Sequence, residues 1–242
     1  MIFETTGCAF TEEINIRLQN QILERVFSFK YLGIFFSSNL SFNNQVNHVL
    51  TKAKHGAFLF WKYTRRFHTM KVSHLLNLFF VLVVPILLYG AEIWGPWLSK
   101  NEIAKLESFY LKHLKRILNV GNSTANCAIY LELDVLPFKA LIQQCLLRAI
   151  PRFYQINEDF HCLQKLLTME CSWVSFWKET TNIYGIPFLL GVLKDYDEES
   201  TQMFIQFNLA KIQNFHTNQL FDELSSKSSL NFYKSLKNPT WF

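Results

Sequence analysis

FSFKYLGIFF, residues 27–36, decides how the start of the chain folds. Five of its ten residues are aromatic (Phe27, Phe29, Tyr31, Phe35, Phe36), its one charge is Lys30, and a single glycine, Gly33, interrupts it. Aromatic and β-branched residues favour strands, and a glycine inside such a run marks the close approach of another backbone or ligand. Upstream, INIRL (14–18) alternates apolar and polar residues, Gln19-Asn20-Gln21 forms a polar turn, and ILERV (22–26) is strand-like again. Residues 1–40 therefore predict a small antiparallel β meander.

Everything after it predicts helices, so the expected fold is mainly α with a small N-terminal meander. SSNLSF (37–42) is a polar entry with Ser41 or Asn43 as N-cap. Over 43–66, Val46, Val49, Leu50, Ala53, Ala57, Phe60, Trp61 and Thr64 recur at spacings of three and four, while His48, Lys52, His55, Lys62 and Arg66 fall near the opposite face. A second helix is expected from Met70 to Trp94, bent at Pro85, and GPW (95–97) ends it. Ser99 and Glu102 form a capping box for a third. Its buried stripe is Ile103, Leu106, Tyr110, Leu114 and Ile117, with Lys105, Lys112 and Arg116 lying away from it. Further helices are expected at 124–133, 138–157, 159–170, 172–184 and 198–224. The domain reading is 1–40, 41–120 and 121–242.

Charge is distributed unevenly. Between Glu24 and Glu92 there is no acidic residue, whereas Arg25, Lys30, Lys52, Lys54, Lys62, Arg65, Arg66 and Lys71 give that segment a charge of +8. The other 16 basic residues face all 19 acidic ones. A strongly apolar segment accounts for low charge density, but not for eight charges of one sign. Such a segment attracts phosphates or an anionic surface.

Other chemistry is poorly represented. Five cysteines (Cys8, Cys127, Cys145, Cys162, Cys171) with no C-x-x-C spacing fit reduced intracellular thiols rather than a disulfide framework or a cysteine-based zinc site. No signal peptide is read at the start, since Glu4 and Gly7 interrupt it. Leu78 to Tyr89 is apolar, but this run of 12 residues falls short of the ~20 that a membrane span requires and reads as a buried helix. His48 and His55 share a helix face without an accompanying carboxylate, which suits solvated or phosphate-facing imidazoles better than a metal site. The acidic group Asp195, Asp197, Glu198 and Glu199 reads as a solvated turn leading into a helix. No phosphate-loop or nucleophile-elbow motif occurs.

Several blocks in order carry a family resemblance. FKYLGIFF, then VPILLYGAEIW (84–94), then LESFYLKHLKRILNV (106–120) resembles the C-terminal part of reverse transcriptases of non-LTR (LINE-type) retrotransposons. STANCAIYLELDVLPFKALIQQCLLR (123–148), SWVSFWKETTNIYG (172–185) and SLNFYKSLK (229–237) are similar to later blocks of that family, so the likeness spans nearly the whole chain. Upstream, MIFETTG and INIRLQNQILERV look like the strands that follow the polymerase active site.

The resemblance implies the palm edge and helical thumb of a right-hand polymerase. Tyr31, Leu32 and Gly33 would form the primer-grip hairpin, and Lys30, Lys52, His55, Lys62, Arg65 and Arg66 would contact a template–primer duplex. It implies an RNA–DNA duplex as partner, together with the palm and fingers of the parent polymerase. Asp134 stands where the family usually has glycine. Polymerisation requires carboxylates that clamp two metal ions, in this family including an adjacent Asp pair, and this sequence contains no Asp-Asp. The chain is therefore expected to be a non-catalytic fragment with no cofactor of its own, although the parent enzymes need magnesium. The alternative is a helical interaction or membrane-associated adaptor built around residues 70–98.

Overall fold

The computed structural model describes residues 26–66, 70–155, 172–186 and 197–227, together with residues 17, 18, 21, 22, 24, 230 and 233. Two short antiparallel hairpins come first: β1 (Arg17–Leu18) with β2 (Gln21–Ile22), and β3 (Ser28–Tyr31) with β4 (Ile34–Ser37). They form separate two-stranded sheets, so among the described residues the expected single meander is split in two. The cause lies in FSFKYLGIFF itself. It folds back at Leu32-Gly33 with Phe29 opposite Phe36 and Tyr31 opposite Ile34, so its strands pair with each other. Ile34 then points into the helical core.

The rest is helical, as the apolar periodicity predicts. The helices are α1 (Asn43–Thr64), α2 (Val72–Leu82), α3 (Val84–Leu87), α4 (Ala91–Trp94), α5 (Lys100–Ile117), α6 (Asn126–Leu133), α7 (Phe138–Gln155), α8 (Ser172–Tyr184) and α9 (Glu198–Ser226), with a 3₁₀ turn at Gly95–Trp97. The helix expected at 159–170 lies outside the described residues. Ser99 and Glu102 form the capping box of α5: the Glu102 N–H donates to Ser99 Oγ (3.3 Å) and the Ser99 N–H to Glu102 Oε2 (2.8 Å). Asp197 caps α9 by accepting the Ser200 N–H at 2.8 Å.

The start of α1 differs from expectation. Phe42 occupies the N-cap and makes no capping bond. Its ring is buried between Phe36 and Trp97, so packing rather than a polar cap fixes where the helix begins.

The bend also moves. Pro85 sits in the first turn of α3, where its missing N–H has no intrahelical partner to lose. The sharp change of direction, 53° between Val72–Leu87 and Ala91–Trp97, comes at Leu88–Gly90, where Gly90 is left-handed (φ 65°). No single described helix is long and apolar enough to cross a membrane, whereas this bent pair passes by length and composition together. The apolar run is buried at Phe79, Val83, Val84, Leu87, Ala91 and Trp94 but exposed at Val81, Leu82, Tyr89 and Ile93. The expectation of a buried helix therefore holds for one face only.

Phe79, fully buried, is the centre of the first core layer, with rings of Phe60, Tyr110 and His113 within 5.7–6.2 Å. This joins α1, α2 and α5. The second layer packs α6 and α7 against α9, and α4 against α7. Asp134, at the end of α6, adopts the left-handed conformation (φ 50°, ψ 49°) that a glycine would take most readily. Asp is among the few other residues that tolerate it.

One carboxylate ties the layers. Glu107 of α5 accepts the Phe138 N–H at 2.8 Å through Oε2, capping the start of α7, while its buried Oε1 has no partner. Burial pushes its carboxyl up to about 7, against the opposing pull of the Phe138 and Lys139 N–H groups. A carboxyl raised in the folded state favours folding in its protonated form. That contribution is complete below the unfolded value of 4.5 and is lost as pH rises through about 7. Glu107→Gln keeps an acceptor without the charge. Urea unfolding at pH 5 and pH 8 is expected to show the wild type losing stability relative to the variant by up to ~3 kcal/mol. A pH-independent difference would contradict this assignment.

Candidate nucleic-acid interface

The hairpin tip is held from both sides. Leu32 (φ 46°) and Gly33 (φ 87°) form a two-residue turn with both φ values positive, the type I′ geometry that suits the twist of paired strands. Leucine rarely adopts this conformation. The Tyr89 hydroxyl donates to the Leu32 carbonyl at 2.9 Å and so braces the turn. A Cβ on Gly33 would lie 3.0 Å from Tyr89 Cε1, which gives the glycine a second reason to be there. On the other strand, fully buried Gln45 of α1 accepts the Phe35 N–H at 3.0 Å through Oε1. Ile34 is buried, whereas Phe29, Tyr31 and Leu32 are more than half exposed.

Two stripes run along α1, each with the spacing four, three, four that keeps side chains on one helix flank. His48, Lys52, His55 and Leu59 make one. With Leu32 and Gly33 of the hairpin and Val81, Leu82, Pro85, Ile86 and Tyr89 of the α2–α3 region, they line a groove of about 1030 Å³. Its floor is apolar, and its α1 wall carries Lys52 between the imidazoles of His48 and His55. Burial, then the charges of Lys30 and Lys52, pushes the His48 imidazole below its usual value. Its ring packs edge-on against Phe35 at 4.9 Å.

Lys54, Phe58, Trp61 and Arg65 make the other stripe. With Lys62 of α1 and Phe109, Lys112, His113 and Arg116 of α5 they line a second groove of about 650 Å³. Five cations and no carboxylate line it. The Arg116 guanidinium stacks 4.1 Å from the Trp61 ring centroid. The Trp61 Nε1–H donates to His113 Nδ1 at 2.9 Å, which leaves the neutral ring's proton on Nε2. Burial first, then Lys112 and Arg116, pushes His113 down to about 4.

Residues read from the sequence as one basic face therefore divide between two. Leu32, Gly33, Lys52 and His55 share the first groove, whereas Lys30 lies over the Phe35 ring (5.4 Å) and does not line it. Tyr31 is exposed beside the turn. Lys62 and Arg65 belong to the second groove, and Arg66 is exposed just past α1 and lines neither. Sequence reasoning passed over Gln45 and Tyr89, whose roles depend on contacts distant along the chain. It noted Lys112 and Arg116 as lying off the α5 stripe, which was the available signal. Among the described residues no three His, Cys, Asp or Glu side chains lie together as a metal would require.

Alanine at Gly33 is expected to loosen the hairpin alone, since a left-handed L-residue costs roughly 1–2 kcal/mol. Hydrogen exchange is expected to show about tenfold less protection of the Phe35 amide, with α5 amides unchanged. Equal loss in both would contradict a local role. In comparison with known proteins, no family model, curated protein or solved structure matches the chain.

Proposed function

We propose that this chain is a non-catalytic C-terminal portion of a non-LTR retrotransposon reverse transcriptase, comprising primer grip, thumb and following helical region, that binds template–primer nucleic acid through the basic faces of its helices. The observation that carries this reading is the first groove. It brings Leu32 and Gly33 of the hairpin turn beside Lys52 and His55 of α1, within a segment that has no acid between Glu24 and Glu92. Such a surface suits a duplex recognised through its backbone and shape. The reading gives the chain no polymerase chemistry, because the sequence holds no adjacent aspartates. Magnesium would belong to the carboxylates of the parent's palm.

The test is binding of a labelled RNA–DNA duplex by fluorescence anisotropy at rising salt. Affinity is expected to fall linearly on a log–log plot, and Lys52→Gln to reduce the slope by about 0.9, the value of one phosphate contact on B-form DNA. Negligible binding at low salt would remove the binding claim. A second reading, a helical interaction or membrane-associated protein, draws on exposed Val72, Val81, Leu82 and Ile93. Association with neutral vesicles in preference to the duplex would favour it.

A further inference from the structure

The second groove differs from the first in size and lining. It runs between α1 and α5 and, at about 650 Å³ against about 1030 Å³, is the smaller of the two. Its walls carry Lys54, Lys62 and Arg65 on one side and Lys112 and Arg116 on the other, and no carboxylate among its lining residues neutralises them. The cations act on one another: burial and then the charge of Arg65 draw the Arg116 guanidinium below its usual value. Beside them the Phe58 ring is 64% exposed on the outer rim. An exposed aromatic ring beside a cationic slot is the arrangement that binds unpaired strands, with phosphates in the charge and bases stacked on the ring.

We propose that the groove between α1 and α5 holds one phosphodiester strand, its phosphates against Arg65, Lys112 and Arg116 and a base stacked on Phe58. This rests on the nucleic-acid reading for the class of ligand, but assigns unpaired strand to a site separate from the hairpin groove. Arg116 stacks its guanidinium over Trp61, and neither of the described ion pairs involves it. Guanidinium forks of this kind match phosphate geometry.

The experiment uses the whole chain and a fluorescein-labelled oligothymidylate of about ten nucleotides, within the range that single-strand grooves occupy. Phe58→Ala removes an exposed ring, and Lys112→Gln with Arg116→Gln removes two exposed cations; thermal melts confirm that both variants fold. Phe58→Ala is expected to weaken single-strand binding about tenfold. The double variant is expected to lower the salt slope by about 1.4, two single-strand phosphate contacts. Lys52→Gln serves as the first-groove control and is expected to leave single-strand affinity unchanged. Wild-type single-strand affinity and salt slope in both second-groove variants would overturn the proposal. So would competition by inorganic polyphosphate as effective as the strand together with a neutral Phe58→Ala, since the groove would then read phosphate alone. A duplex salt slope lowered by about 0.9 in Lys52→Gln, with single-strand binding intact, supports two separate sites. Single-strand binding without any duplex binding leaves this assignment standing and removes the primer-grip reading.

Discussion

At Gly90 the backbone is left-handed, and a Cβ there would lie 2.6 Å from Ile34 Cδ1. That close approach couples the hairpin to the helices. The turn swings α4 away from α2–α3 by 53°, exposes Tyr89 toward the hairpin and leaves space for Ile34 to enter the core. Trp94 secures it from below, its Nε1–H donating to the Tyr89 carbonyl at 2.9 Å, while the Tyr89 hydroxyl reaches the Leu32 carbonyl. One residue thus fixes the helix bend, the docking of Ile34 and the tip of FSFKYLGIFF. A side chain at Gly90 would disturb all three, because neither the conformation nor the space accommodates one readily.

With the hairpin fixed, α1 becomes a ridge with a groove on each flank. The absence of acidic residues from the segment acquires a geometric meaning here. Lys52 and His55 face one groove, and Lys54, Lys62 and Arg65 face the other. A carboxylate on either stripe would neutralise part of the field by ion pairing. Described ion pairs lie elsewhere, at Lys139–Glu179 and at Lys227–Glu223. Within the second groove the cost of uncompensated charge is visible in His113, which burial and its cationic neighbours hold neutral, and which is anchored by Trp61 rather than by a counter-ion.

Much of the helical scaffold was legible because its signals are local. The apolar spacing of 43–66, the Ser99–Glu102 capping box and the polar breaks each act within a few residues. The bend at Gly33 came only with the family resemblance, since the local pattern of 27–36 reads as one strand interrupted by a glycine. What the sequence concealed depends on contacts far apart in the chain. Pro85 is the louder signal for a bend, yet its position in the first turn of α3 makes it harmless, and the bend comes at Gly90. Gln45 gives no hint that its amide oxygen serves the Phe35 N–H. The second groove required α1 and α5 to be neighbours, and no spacing within either helix states that. Asp134 reads as a departure from a glycine position, and only its left-handed backbone shows how the turn is kept.

The central claim is that the lysines of the acid-free segment form the surface that meets phosphate. Lysine-reactivity footprinting by mass spectrometry, with and without an RNA–DNA duplex, tests it residue by residue. The account predicts that Lys30, Lys52 and Lys62 lose reactivity severalfold on binding, while exposed Lys178 of α8 keeps its own. Protection of Lys178 alone, or equal reactivity of all four in both states, would contradict it.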